Sequence, residues 1–167
     1  MFPVQESRSK CYRTAMTPGE YADFLRKKVA ELQQVNKPLL FGANACTQAV
    51  YERAFNNGQN QQGQTFQYKS DWYKRKREKR GFETGFVDWT FEGDLKSDFA
   101  NAPKGSGKAE VIKVDRNEYV TGFVRDINKK KYEGLSRYFG DFLEPNQKEE
   151  ALFYSTVEFE FEKMFTP

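Results

Sequence analysis

Apolar residues in this chain follow two rhythms, one near 3.6 residues and one of two, divided by polar stretches. In "TPGEYADFLRKKVAELQQVNKP", Tyr21, Phe24, Leu25, Val29 and Leu32 recur at helical spacing and line one face. Thr17 and Glu20 have the spacing of a capping box, in which each side chain satisfies the other residue's backbone N–H. Pro18 stands where a helix start tolerates proline, and Asn36 with Pro38 is expected to end the helix. A second helix is predicted over 45–56, capped by Asn44 and stopped by Gly58, with Cys46, Ala49, Val50 and Phe55 as its buried stripe. The small residues of that stripe predict close packing against a neighbour, and Cys46 reads as a small buried hydrophobe rather than a reactive thiol.

The stretch "NNGQNQQGQ" has nothing to bury and is expected to be loop or disordered. With the basic segment that follows, it makes residues 57–82 one long excursion. Val87, Trp89 and Phe91 then alternate with Asp88 and Thr90, as in a strand. Gly93 breaks that strand, and Leu95 with Phe99 suggests a short helix opened by Asp94. "AEVIKV", a "DRN" turn and "EYVTGFV" read as a β-hairpin. "KKKYEGLSRYFG" predicts a helix that uses Leu135, Tyr138 and Phe139 and ends at Gly140.

The last segment satisfies both rhythms. Phe153, Val157, Phe161 and Met164 or Phe165 keep helical register, whereas "VEFEFEK" alternates like a strand. Its length, its early alanine, leucine and glutamates, and the Asn146–Glu149 cap spacing favour helix. The expected class is α+β: a small antiparallel β-sheet packed by helices, with a long basic loop or arm. Residues 1–16 are expected to form a flexible N-terminal arm and 17–167 a single domain.

Composition narrows the function. Hydrophobic residues make up only 38%, but sixteen Phe and nine Tyr supply large buried areas. Two cysteines, Cys11 and Cys46, are too few for a disulfide framework and fit a reducing compartment. No apolar run approaches the roughly 18 residues of a membrane span. The opening "MFPVQESRSKCYR" lacks a signal peptide's apolar core. A soluble protein made in the cytoplasm is expected, with no membrane partner.

There is no histidine, which removes the commonest general base and the commonest metal ligand together. The expectation is a protein that is not an enzyme and needs no cofactor. "KGSGK", Lys104 to Lys108, is a poor phosphate loop, because Ala102 and Ala109 stand where that pattern needs glycine and Ser or Thr. Asp88, Glu92, Asp94 and Asp98 could in principle hold Mg²⁺, but they sit on separate elements that no spacing forces together, and Asp94 is more simply a helix cap.

Charge is the outstanding feature. Lys69 to Arg80 carries seven basic residues against two acidic ones, while the whole chain is only +3, so the remainder is slightly acidic. The candidate partner-binding residues are Lys69, Trp72, Tyr73, Lys74, Arg75, Lys76, Arg77, Lys79 and Arg80. They fit a nucleic-acid patch with stacking aromatics, a docking arm for an acidic protein surface, or a solvated loop.

The stretch "VDWTFEGDLKSDFAN" resembles a pattern in neck and tail-completion proteins of tailed bacteriophages, of the virion-morphogenesis type. There a strand V-x-L-x-x-x-G-x-L leads into a short helix and a hairpin, and Val87, Trp89, Gly93, Leu95 and Phe99 occupy those places. Lys131, Gly134, Leu135, Phe139 and Gly140 match that group's K-x-x-G-L-x-x-x-Y-G segment. Trp89 and Phe91 replace smaller aliphatics, and Phe139 replaces the usual tyrosine. The resemblance implies a structural virion protein at the head–tail junction, one that performs no chemistry. It would close a six- or twelve-fold ring through intersubunit arms and touch portal, adaptor or tail-tube proteins. DNA would pass through the ring's channel. Nucleic-acid binding by residues 66–82 is the alternative.

Overall fold

The structure, a computed structural model, describes residues 17–32, 36–87, 89, 94–100, 102, 107–115 and 118–165. Along the chain come α1 (Pro18–Leu32), α2 (Asn36–Tyr51), a π turn (Glu52–Asn56), α3 (Asp71–Glu78), α4 (Asp94–Asp98), β1 (Ile112–Asp115), β2 (Glu118–Val120), α5 (Asp126–Phe139) and α6 (Gln147–Phe165). The class is α+β, and the described sheet is the predicted antiparallel hairpin alone. Ile112 pairs with Val120 and Lys113 with Tyr119, and an irregularity follows at Val114.

The chain divides into two compact units at Gln34/Val35, so the single domain expected over 17–167 is split, with α1 in the first unit. The capping box at its start is made. Thr17 N–H donates to Glu20 Oε2 at 2.7 Å, and Glu20 N–H donates back to Thr17 Oγ1 at 3.3 Å. The N-terminal arm predicted over 1–16 lies outside the described residues.

In the second unit α2 begins nine residues before the predicted start of 45. Pro38 therefore opens this helix as well as following the previous one, because its missing N–H falls among first-turn donors that have no intrahelical acceptor. Asn44 is not a cap. It sits inside the helix and accepts from Val111 N–H at 2.8 Å. The helix then widens into the π turn, closed by Asn57 N–H on Glu52 O at 2.9 Å, and it buries Arg53, Ala54 and Phe55 in succession.

α6 is helical, as its length indicated, and its Asn146–Glu149 cap is formed by bonds of 2.8 and 3.0 Å. It packs along α2 at Gly42, where an added Cβ would lie 2.5 Å from Val157 Cγ2 and 3.0 Å from Phe153 O. Gly42→Val should therefore cost about 1–3 kcal/mol by overpacking. Denaturant unfolding should show a lower midpoint at unchanged slope, and Val157→Ala should restore part of the loss.

The predicted excursion over 57–82 is not a loose arm. Asn60 Oδ1 accepts from Gln62 and Gln64 N–H at 3.0 and 2.8 Å, an Asx-type turn that satisfies the polar stretch locally. Phe66 enters the core, and the basic segment folds as α3, capped by Ser70 accepting from Tyr73 N–H at 3.3 Å. The predicted strand is also corrected. Val87 and Trp89 are buried but outside any strand, because Trp89 adopts φ +60, which extended backbone cannot include. Asp88, Thr90 and Phe91 lie outside the described residues. α5 ends at Gly140 as expected, with φ +74, but Tyr138 is 75% exposed rather than buried.

Aromatic rings dominate the core. Phe55 and Phe99 lie 5.1 Å apart, and Phe123 meets Phe99 edge-on at 5.7 Å. Trp89 stacks on Phe142 at 4.3 Å with the planes 3° apart.

Candidate functional site

α3 presents two faces with different jobs. Tyr73 and Arg77, one turn apart, point inward, and Arg77 is 1% exposed. Its guanidinium lies over the rings of Tyr68 and Phe82, at 5.0 and 5.2 Å, and Nε donates to Glu83 O at 3.1 Å. Weak hydration and a planar head suit arginine to such a stacked, buried position. Arg77 is thus the anchor that docks the basic helix, a role that a count of positive charges does not reveal.

Trp72, Arg75, Lys79 and Arg80 form the exposed face, with Lys74 and Lys76 half-buried beside them. Trp72 is 70% exposed, and Lys76 Nζ sits 5.2 Å from its ring centroid. Lys69 precedes the helix and lies 5.9 Å from the ring of Phe139. Of the nine predicted site residues, then, Lys69, Tyr73 and Arg77 turn toward α5 and the other six turn to the outer surface.

Between α3 and α5 runs an open cleft of about 680 Å³, within the range of ligand-binding pockets. Tyr68, Tyr73, Trp89, Tyr138 and Phe139 give it aromatic walls, with Val87, Leu95 and Leu135 between them. Its charged lining is Lys69, Arg77 and Lys131, with no carboxylate among the described residues. Gly134 lets the α5 backbone come to the edge. α5 also carries Lys129, Lys130 and Arg137 outside the lining, so both helices that flank the aromatic floor are basic. Sequence reasoning overlooked this cleft because its walls come from three separated segments. The run Lys129–Lys131 was the available signal, a second basic cluster matching the first.

Among the described lining residues the one hydroxyl at the start of α3, Ser70 Oγ, is engaged as the helix cap by Tyr73 N–H. Tyr132, within α5, packs against Phe123 and Phe142 with its hydroxyl bonded to the Asp141 carboxylate, and burial together with that bond raises its pKa well above the tyrosine range. Asp98 is committed to Arg125 N–H at 3.0 Å and Asn128 Nδ2 at 2.9 Å, so it helps to start α5. Among the described residues no group of three His, Cys, Asp or Glu is placed to hold a metal, and no helix is long and apolar enough to cross a membrane. Of "KGSGK", only Gly107 and Lys108 are described, and Gln48 Nε2 holds Gly107 O at 2.9 Å.

No family model, curated protein or solved structure matches this chain.

Cys46 is half-buried, and its thiol pKa is raised first by desolvation and then by the charges of Glu149 and Glu150. A folded thiol that resists ionisation subtracts stability as pH rises through the range of the unfolded thiol. Iodoacetamide should alkylate Cys46 several-fold more slowly than free cysteine at pH 8 and gain on it as pH rises. Equal rates at pH 8 would contradict the shielding.

Proposed function

We propose that this chain is a structural subunit of a tailed-bacteriophage particle, closing a ring at the head–tail junction as a connector, neck or tail-completion protein. One observation carries the reading. Val87, Trp89, Leu95, Lys131, Gly134, Leu135 and Phe139, which bear the resemblance to that group, come from distant segments and meet around one cleft. Val87, Trp89 and Leu95 form its buried floor, and Lys131 and Gly134 are exposed at its rim, so the segments that bear the resemblance are gathered at one place where a partner can dock.

Surface chemistry points the same way. Ring closure by head-to-tail contact needs two unlike surfaces on each subunit. Here α3 and α5 are strongly basic, while α6 carries five acidic residues against two basic ones and leaves Tyr154, Phe159 and Phe165 more than half exposed. The partners on this reading are further copies in a six- or twelve-fold ring, then portal, adaptor or tail-tube proteins, with DNA passing through the channel. The location is the virion, after synthesis in the host cytoplasm, and the subunit carries out no reaction.

Deleting residues 66–82 would remove Phe66 and Arg77 from the folded unit, so the informative change is on the surface. Arg75→Glu, Lys79→Glu and Arg80→Glu together should leave thermal unfolding within about 0.5 kcal/mol of the parent yet prevent incorporation into particles. Normal incorporation would overturn the role of α3 as a contact surface.

One observation favours nucleic acid as the second reading: Trp72 stands exposed among Lys76, Arg75, Lys79 and Arg80, an aromatic in a cationic field. On that reading the same triple variant would weaken DNA binding and flatten its salt dependence.

A further inference from the structure

We infer that the cleft between α3 and α5 binds single-stranded nucleic acid, taking unpaired bases against its aromatic walls and the flanking phosphates on the cations of its rims. This contact is independent of ring closure, and it lies in the cleft rather than on the outer face of α3 where Trp72 stands. A base needs a ring to lie against, and the cleft offers rings on both sides. Tyr68 and Tyr73 stand on the α3 side with their centroids 5.6 Å apart. Tyr138 stands on the α5 side, 75% exposed, and meets no other ring among the described residues. Stacking of this kind accepts any base, because every base has a π-face.

The rims carry the charge that a strand requires. Lys69, Lys130 and Arg137 are exposed, and no carboxylate pairs with any of them among the described residues. Lys69 lines the cleft on the α3 side. Lys130 lies four residues before Gly134 and Arg137 three after it, so both are its neighbours on the surface of α5, at the opposite rim. The acidic residues of the two helices, Asp71, Glu78, Asp126 and Glu133, are all outside the lining. Cations on two rims with rings between them make a track for a charged backbone that carries flat side groups.

Other occupants fit less well. A duplex keeps its bases stacked on one another, so it can offer the cleft no base face unless a base is first extruded. An acidic protein segment would meet the cations, but aromatic walls on two sides suit a flat plate, which a base presents and a carboxylate side chain does not. A small anion would engage one rim and leave the other without a counter-charge. The cleft, at about 680 Å³, has room for a base together with its sugar.

Fluorescence anisotropy of a short labelled oligothymidylate tests this on the full chain, beside an abasic strand of the same length and charge. The strand with bases should bind about tenfold more tightly. Tyr138→Ala should weaken that binding about tenfold and leave duplex binding unchanged. Gly134→Phe should do more. An added Cβ at Gly134 meets nothing within 4 Å, so the fold accepts a ring there that occupies the rim of the cleft. Affinity for oligothymidylate should then fall to that for the abasic strand, at an unchanged melting temperature. Lys130→Gln with Arg137→Gln should reduce the slope of log affinity against log salt by about 1.4, at about 0.7 for each phosphate contact.

An abasic strand bound as tightly as oligothymidylate, or a Gly134→Phe chain of unchanged affinity, would overturn the contact. So would a parent that binds no oligonucleotide, including one whose cleft holds a second copy instead, seen as self-association in sedimentation that Gly134→Phe abolishes. Thymidine monophosphate competing as well as the strand would make the cleft a nucleotide pocket and overturn it too. Ring closure is read separately, by incorporation into particles, and stands or falls apart from these results.

Discussion

Replacing Arg53 with methionine is expected to cost the second unit about 3–5 kcal/mol, a large share of the roughly 5–15 kcal/mol of an ordinary domain. Arg53 and Glu149 are each 7% exposed and meet at 2.7 Å, the guanidinium Nε against Oε1, with Nη2 on Oε2 at 3.2 Å. The other donors reach Gln59 O and Phe142 O at 3.2 and 3.1 Å, and Glu144 O at 2.9 Å. One side chain thus ties the π turn to the polar turn, the segment after α5 and the start of α6. Removing it strands a buried carboxylate and three carbonyls, and an unsatisfied buried acceptor is the expensive case. Arg53→Lys should fail to rescue, because an ammonium cannot reproduce the planar fork. Glu149→Met alone should be comparably damaging, and the Arg53→Met/Glu149→Met pair should be much less so than the sum of the singles. Thermal and denaturant unfolding of the four chains closes the cycle. Additive losses would mean that the pair is not coupled.

Trp89→Ala should cost a similar amount, about 3–5 kcal/mol. The indole is 8% exposed, stacked on Phe142 and met edge-on by Phe139 at 5.3 Å and Phe66 at 5.5 Å, and its N–H donates to Ala54 O at 2.9 Å. It joins the π turn, the polar turn, α5 and the segment after it, and it forms part of the cleft floor. Trp89→Phe keeps most of the rings in contact but strands Ala54 O, so about 1–3 kcal/mol is expected. The chain has two tryptophans, and the other, Trp72, is 70% exposed. Trp89→Phe should therefore leave only red-shifted, solvent-like emission and remove the blue component. A spectrum unchanged by the substitution would contradict the burial.

What the sequence disclosed is what local chemistry decides. The Thr17 and Asn146 caps, the hairpin, Gly140 and the helical nature of α6 all follow from residues within a few positions of one another. What it concealed depends on distant partners. Nothing near Asn44 says that Val111 will occupy its side chain, and nothing near Arg77 says that Tyr68 and Phe82 will sandwich it. Pro38 suggests an ending when only its neighbours are considered, because proline punctuates both ends of helices. The basic segment looked like an arm because charge suggests solvent, yet Tyr73, Arg77 and Phe82 give it an inward face of aromatic stacking. The cleft was the least legible feature. Most of its residues belong to recognisable segments of the sequence, but only folding brings α3, Trp89 and α5 together.

The π turn at Glu52–Asn56 also determines where this chain tolerates a change of length. An α-helix turns by about 100° per residue, so deleting one residue here would swing the end of the helix by that angle. Phe55 would leave its place against Phe99, and Arg53 would lose Glu149. One residue added to the polar turn at Gln62–Gly63, by contrast, lengthens an exposed tip where even an added Cβ at Gly63 meets nothing within 4 Å. Insertions and deletions compatible with this architecture are therefore expected to gather in that turn and to spare the helix end a few residues before it.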